Sequence, residues 1–145
     1  MLLNEEKMDL FSVPQGYYLA HCISGDYTLG AGVAKQIDAV YGMKQKLRKR
    51  YPIPDGEKYA HVGEALLVDN VFNLVTKGRC FERPTLETLE EALMDMALQM
   101  DELDIKKLAI PLLGCGKDRL DWDDVRDLIE DIFGEMDVEI LVCRL

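Results

Sequence analysis

Apolar residues occur along this chain in two patterns that alternate. Short continuous apolar runs predict buried strands, and they occupy residues 17–23, 64–68, 71–76, 108–112 and 138–143. Between the runs, apolar residues recur every three or four positions, which is typical of amphipathic helices. The spacing predicts helices over residues 33–40, 42–50, 85–100 and 121–133.

Turn and cap residues separate these segments. Pro52 and Pro54 follow the second helix and cannot continue it. Asp69 and Asn70 lie between two apolar runs and predict a hairpin turn. Gly134 is expected to end the last helix. Strands that alternate with helices favour an α/β fold with three layers, α/β/α, and no linker or repeat divides residues 1–145, so we expect a single domain.

Charge and hydropathy exclude several classes of protein. Lys and Arg number 17 and Asp and Glu 27, which gives the 145-residue chain a net charge of −10. We therefore expect no general nucleic-acid binding, because such proteins neutralise phosphates with basic residues. No apolar run approaches the ~20 residues that span a bilayer, and the acidic N-terminus lacks a signal core. These features predict a cytoplasmic protein without membrane contact, and we expect a monomer.

The four cysteines, Cys22, Cys80, Cys115 and Cys143, are widely spaced and form no C-x-x-C pair. This spacing favours reduced thiols over a disulfide framework. A zinc site built from His21, Cys22 and Cys115 is an alternative, although the usual ligand spacing is missing. We expect no metal.

Two glycine-rich loops are the first candidates for ligand binding. The loop over 24–32 contains Gly25, Gly30 and Gly32, and the loop over 113–118 contains Gly114 and Gly116. Each follows a predicted strand and precedes a helix, where open α/β sheets bind ligands and where backbone N–H groups favour anions. Neither loop contains a dinucleotide-binding G-x-G-x-x-G or a P-loop. The pair could clamp a pyrophosphate, or both could be ordinary turns.

Lys77 and Asp118 are candidates for chemistry. Lys77 ends an apolar strand, and a desolvated lysine there could act as a nucleophile towards a carbonyl carbon. A surface lysine whose alkyl stem covers apolar neighbours is the alternative. Asp118 could exchange protons with a substrate, or it could supply negative charge or a cap to the helix that follows.

Several segments together resemble the macrodomain family. They are His21-Cys22-Ile23-Ser24, Gly30-Ala31-Gly32-Val33-Ala34, Thr76-Lys77, Pro84-Thr85 and the stretch from Pro111 to Trp122 with its G-C-G-x-D-R-L-x-W pattern. The resemblance covers about residues 8–145 and is greatest to the branch of terminal ADP-ribose protein glycohydrolases, also called O-acetyl-ADP-ribose deacetylases. It implies a three-layer α/β/α macrodomain with a central mixed sheet.

The resemblance also assigns residues to ADP-ribose. It implies contacts at the adenosine end from Asp9 and Leu10, although Met8 stands where the family usually has glycine, and a distal-ribose contact from Ser24. It implies outer contacts from Thr85 and Leu145. The first ligand loop would be Gly30, Ala31, Gly32, Val33 and Ala34, and the second would comprise Leu112, Leu113, Gly114, Cys115, Gly116, Lys117 and Asp118.

For the reaction, the resemblance implies that Lys77 is the nucleophile and Asp118 its acid/base partner. The substrates would be proteins that carry mono-ADP-ribose on glutamate side chains, and O-acyl-ADP-ribose, with no cofactor. Two alternatives stay open. An ADP-ribose-1″-phosphate phosphatase would activate water and tolerate loss of Lys77, and a non-catalytic ADP-ribose-binding module would need neither Lys77 nor Asp118.

Overall fold

Strands and helices alternate along the chain, and the computed structural model describes all 145 residues. The strands are β1 (Leu2–Lys7), β2 (Tyr18–Ser24), β3 (Ala65–Val68), β4 (Val71–Lys77), β5 (Lys107–Ile110) and β6 (Glu139–Arg144). The helices are α1 (Gly32–Tyr41), α2 (Met43–Arg50), α3 (Leu86–Glu102) and α4 (Trp122–Phe133). None of these helices is both long enough and apolar enough to cross a membrane.

All six strands form one sheet, in the order β1-β6-β5-β2-β4-β3. Every neighbouring pair is parallel except β3 and β4, which form the antiparallel hairpin predicted around Asp69 and Asn70. The sheet is therefore mixed, as expected. Because β1, β2, β4, β5 and β6 are parallel, their carboxyl ends meet at the same edge of the sheet.

Apolar cores cover both faces of the sheet and complete the predicted three layers. On one face, α3 and α4 pack Leu89, Leu93 and Phe133 against sheet residues such as Phe72 and Ile140. On the other face, the core contains Ile37 of α1 and both Met43 and Leu47 of α2. Thr85 caps α3 through its side chain, which accepts a hydrogen bond from the Thr88 amide.

The sequence pattern missed β1. Only Leu3 among its six residues is even partly buried, so no apolar run or alternation identifies the strand. Instead, β1 is held by parallel pairing with β6, from Leu2 opposite Glu139 to Lys7 opposite Arg144. An edge strand of this kind depends on main-chain hydrogen bonds that the amino-acid sequence does not reveal.

The end of strand β5 differs from the prediction, whereas the end of the last helix is confirmed. Strand β5 stops at Ile110, so Leu112 belongs to the loop that follows. Helix α4 ends at Gly134, which has a right-handed φ of −52°. A larger residue would not fit there, because a Cβ would collide with the Glu130 carbonyl oxygen.

His21 and Asn73 form a polar pair inside the core, on neighbouring strands β2 and β4. His21 is 1% exposed, and its Nε2 lies 2.5 Å from Asn73 Oδ1. The Asn73 amide donates in turn to the Leu66 carbonyl at 3.0 Å. Burial lowers the pKa of His21 to about 4, against a smaller opposing effect of the Asn73 hydrogen bond.

We expect His21 to make the fold acid-sensitive. From its ordinary pKa of 6.5 down to about 4, the unfolded chain binds a proton at His21 that the folded chain does not. The free energy of unfolding should therefore fall as the pH drops through this window, by about 1.4 kcal/mol per pH unit at most. Urea unfolding between pH 7 and 4.5 measures this slope. His21→Gln should flatten the dependence of the free energy of unfolding on pH, whereas the control His61→Gln, at an exposed position, should not. Equal slopes in the wild type and both variants would contradict the role of His21.

Candidate functional site

The candidate residues converge at the carboxyl edge of the sheet. Lys77 is the last residue of β4 and Ser24 the last of β2, and the two are register partners. The second glycine loop follows β5. Segments that are distant in sequence therefore surround a common region, at the place where open α/β sheets bind ligands.

Asp26 organises the first loop, and the sequence analysis did not identify it. Its Oδ1 accepts hydrogen bonds from the Ser24 hydroxyl at 2.6 Å and from the amide and hydroxyl of Thr28, and its Oδ2 accepts one from the Cys80 amide at 2.8 Å. Burial alone would raise the pKa of Asp26, but these hydrogen bonds hold it below its ordinary value. An aspartate followed two residues later by threonine is typical of an Asx turn, a signal that could have singled it out.

Close packing of two glycines fixes the end of β4. The Gly25 amide donates to the Lys77 carbonyl at 2.9 Å, and a Cβ on Gly25 would lie 2.6 Å from the Ala60 carbonyl oxygen. The Tyr59 ring lies against Gly78, where a Cβ would come within 2.6 Å of a ring carbon. The backbone on both sides of Lys77 is therefore held by contacts that larger residues would disrupt.

The first ligand loop leads directly into α1. Ala31 is the N-cap residue in extended conformation and supplies no side-chain hydrogen bond, while Gly32 has a φ of +58°. The first turn of α1 contains no acidic residue. The positive end of this helix is thus left without a neutralising side chain, at the edge of the sheet where the other candidate residues lie.

The second loop folds back on itself beyond β5. Gly114 has a φ of +71°, and its carbonyl accepts the Leu120 amide at 2.8 Å. The Cys115 amide donates to the Leu112 carbonyl at 3.1 Å. Leu113 is buried, whereas Gly116 and Lys117 are exposed. The apolar side anchors the loop on the α3 and α4 core, and the side with Gly116 and Lys117 faces solvent.

This loop brings Asp118 to Lys77, 41 residues away along the chain. The Lys77 Nζ donates to Asp118 Oδ1 at 2.8 Å, and the two side chains are only 15% and 19% exposed. The alternative that Asp118 caps the next helix is wrong, since the Asp121 side chain accepts the Asp123 amide there. Lys77 is not an isolated, desolvated amine either. Its amine contacts the Asp118 carboxylate, which can accept its proton.

The two thiols below this pair are poor nucleophiles. Burial, with the nearby Asp118 charge, raises the pKa of Cys22 to about 12, and burial with the Asp121 charge raises that of Cys115 to about 11. Thiols of such high pKa carry almost no thiolate at neutral pH. All four cysteines are free, as predicted. Neither Cys22 nor Cys115 is therefore available as a nucleophile at this site.

The zinc alternative fails on geometry. Cys22 and Cys115 pack against the core under α3 and α4. His21 alternates to the opposite face of β2, where its partner Asn73 contacts the Met43 sulfur of α2 at 3.4 Å. The three residues therefore cannot converge on one ion.

The outer candidate residues lie at the same edge of the sheet. Asp9 follows β1, and its carboxylate accepts the Phe11 amide at 2.9 Å, which starts a short turn containing the buried Leu10. Met8 is tied to β6 through a 2.8 Å bond from its amide to the Arg144 carbonyl. Thr85 is occupied as the cap of α3, and Leu145 is 93% exposed.

Comparison with known proteins agrees with this architecture. The family model described as Macro domain matches residues 20–129. The ADP-ribose glycohydrolase OARD1 of Homo sapiens is 35% identical over 141 residues, which cover 96% of this chain and 89% of that protein.

Solved structures show the same fold. The macrodomain of Thermus aquaticus DarG superposes with a TM-score of 0.81 at 23% identity, covering 98% of this chain and 97% of that one. The DarTG protein of Thermosipho africanus, in complex with ADP-ribose, superposes with a TM-score of 0.77 at 19% identity, covering 99% of this chain and 42% of that one. Together with the family model and the human relative, these likenesses establish that the chain belongs to the macrodomain family.

Proposed function

We propose that this macrodomain is an ADP-ribosyl hydrolase that removes mono-ADP-ribose from glutamate side chains and deacylates O-acyl-ADP-ribose. The observation that carries the proposal is the 2.8 Å contact between Lys77 Nζ and Asp118 Oδ1 at the carboxyl edge of the sheet. A relative that is 35% identical is named as an ADP-ribose glycohydrolase, which supports the reaction class.

Two glycine loops would hold the substrate. The open N-terminus of α1, behind Gly30, Ala31 and Gly32, offers backbone N–H groups to the diphosphate. The loop over 112–118 would close over the diphosphate and distal ribose from the opposite side. Backbone recognition suits a chain of net charge −10, which attracts no phosphate at long range.

The distal ribose would then present its C1″ atom to the Lys77 amine. The bond between C1″ and the glutamate oxygen breaks, and the carboxylate leaves with the electron pair. Lys77 attacks C1″ after passing a proton to Asp118, and opening of the ribose ring gives a Schiff base. Water adds to C1″ and displaces the amine, while Asp118 returns its proton. No metal or cofactor takes part in this sequence.

The geometry favours this function over the two alternatives. A binding module needs neither a largely buried lysine nor an aspartate in contact with it, whereas such pairs of titratable groups cluster at catalytic sites. A phosphatase acting on the 1″-phosphate would need an activated water but no amine at the end of β4. Phosphate release from ADP-ribose-1″-phosphate by the wild-type protein and equally by Lys77→Ala would favour the phosphatase.

We expect the purified protein to release free ADP-ribose from a peptide with one glutamate-linked ADP-ribose. It should also release ADP-ribose and acetate from O-acetyl-ADP-ribose. Chromatography of the products measures both reactions, with a serine-linked ADP-ribosyl peptide as control, because its ether-like bond has no carboxylate leaving group. Absence of turnover on both ester substrates would refute the proposed function.

A further inference from the structure

A cleft of about 480 Å³ opens beside the end of β4. Its walls come from the loop before β3 and the loop between β4 and α3, and its lining residues are Glu57, Lys58, Tyr59, Arg79, Phe81 and Glu82. Tyr59 packs on Gly78, the residue after Lys77, and Arg79 comes next in the chain. The cleft therefore adjoins the proposed reaction site.

The charged side chains that line this cleft are two carboxylates, Glu57 and Glu82, and two cations, Lys58 and Arg79. The Glu57 carboxylate hydrogen-bonds to His61 at 3.2 Å, and Glu82 accepts the Arg79 amide at 2.6 Å. Neither the Lys58 nor the Arg79 side chain takes part in an ion pair. Both cations are therefore available to an acidic ligand, while both carboxylates already accept hydrogen bonds within the fold.

An exposed aromatic ring completes the cleft. Phe81 is 76% exposed, and the Arg79 guanidinium lies 5.9 Å from its ring centre. The turn that presents both residues is closed by the Glu82 amide, which donates to the Arg79 carbonyl at 3.0 Å. This turn places an apolar surface next to positive charge, a combination suited to the backbone and acidic side chains of a polypeptide.

We propose that the cleft binds the acceptor polypeptide next to the modified glutamate and selects acceptors with further acidic residues there. The inference rests on the proposed function. If ADP-ribose fills the two glycine loops and presents C1″ to Lys77, the polypeptide attached to C1″ must leave the site on the Lys77 side, where the cleft lies. Lys58 and Arg79 then meet its acidic neighbours, and Phe81 covers its apolar stems.

The test compares two peptides, each with one glutamate-linked ADP-ribose, flanked either by Asp and Glu or by Asn and Gln. We expect kcat/KM to be about fivefold higher for the acidic peptide at low salt, the effect that two exposed charge pairs can supply, and to converge at high salt. The double variant Lys58→Gln/Arg79→Gln should abolish the preference and leave O-acetyl-ADP-ribose turnover unchanged, since that substrate carries no polypeptide. Lys49→Gln, which removes an exposed and unpaired charge on α2, should keep the preference.

The outcomes separate this inference from the proposed function. Equal kcat/KM for both peptides in the wild type, or a preference that survives in the double variant, overturns the cleft assignment while hydrolysis itself stands. No turnover on either peptide or on O-acetyl-ADP-ribose overturns both proposals. If the double variant loses activity only towards single-stranded DNA with a base-linked ADP-ribose, the Arg79 and Phe81 pair serves base stacking and the peptide assignment is wrong.

Discussion

Replacing Asp118 with alanine should reduce turnover of glutamate-linked ADP-ribose by about 10³-fold or more. The proposed reaction uses Asp118 to take a proton from Lys77 and to return it, and loss of a positioned acid/base group removes about 10²–10⁴-fold in rate. Binding of free ADP-ribose should survive, with Kd changed less than about fivefold, because backbone groups of the glycine loops supply most of the contacts. Single-turnover kinetics and calorimetry measure the two effects separately.

Two further variants show whether the loss is chemical. Asp118→Asn keeps the size of the side chain but cannot accept a proton, so it should be as inactive as Asp118→Ala. Asp124→Ala removes an exposed carboxylate from the first turn of α4 and should turn over normally. Thermal unfolding of each variant checks that the second loop is intact. Asparagine retaining more than about a tenth of the wild-type rate would contradict the acid/base role.

Replacing Lys77 with alanine should abolish removal of ADP-ribose from glutamate, again by about 10³-fold or more, because the covalent route disappears. In the wild-type protein, borohydride added during turnover should reduce the Schiff base and leave one ADP-ribose unit attached to Lys77. Intact mass and peptide mass spectrometry measure this adduct.

Lys77→Arg is the informative control for charge. The guanidinium can still pair with Asp118, but it is protonated at all accessible pH values and cannot form the imine. We therefore expect Lys77→Arg to be stably folded, inactive and free of the adduct, while Lys49→Ala behaves as wild type. Full glutamate removal by Lys77→Ala, or activity restored by arginine, would show that the lysine is not the nucleophile.

Much of the fold could be predicted because its elements have strong local signals. The continuous apolar runs of β2, β4 and β6 reflect strands that are buried on both faces. The helical spacing of α3 reflects a helix that is buried on one face. Each pattern is visible within a few residues of the sequence. Strand β1 lacks that signal, since its stability comes from pairing with β6 at the other end of the chain. The end of β5 was set by loop packing that apolar patterns do not record.

The residues of the candidate site also divide into those that could be found in the sequence and those that could not. Lys77, Asp118 and both glycine loops could be found in the sequence, since charged residues and glycines at strand ends are unusual locally and together resemble a known family. An Asx-turn signal marks Asp26 in the sequence, but its contact with the Cys80 amide, 54 residues away, depends on the fold. The cleft beside the end of β4 was also invisible, since its walls come from two loops that meet only in the fold.

The amino-acid sequence by itself determined the layered α/β architecture, the absence of cysteine pairing motifs and the identity of the residues capable of chemistry, because hydrophobic periodicity and side-chain type are local properties. Only the tertiary structure decided that Lys77 meets Asp118, that His21 pairs with Asn73, and that Tyr59 and Arg79 line one cleft. Each of these facts depends on distances between segments far apart in the chain, which parallel strand pairing and loop packing fix and which no local pattern contains.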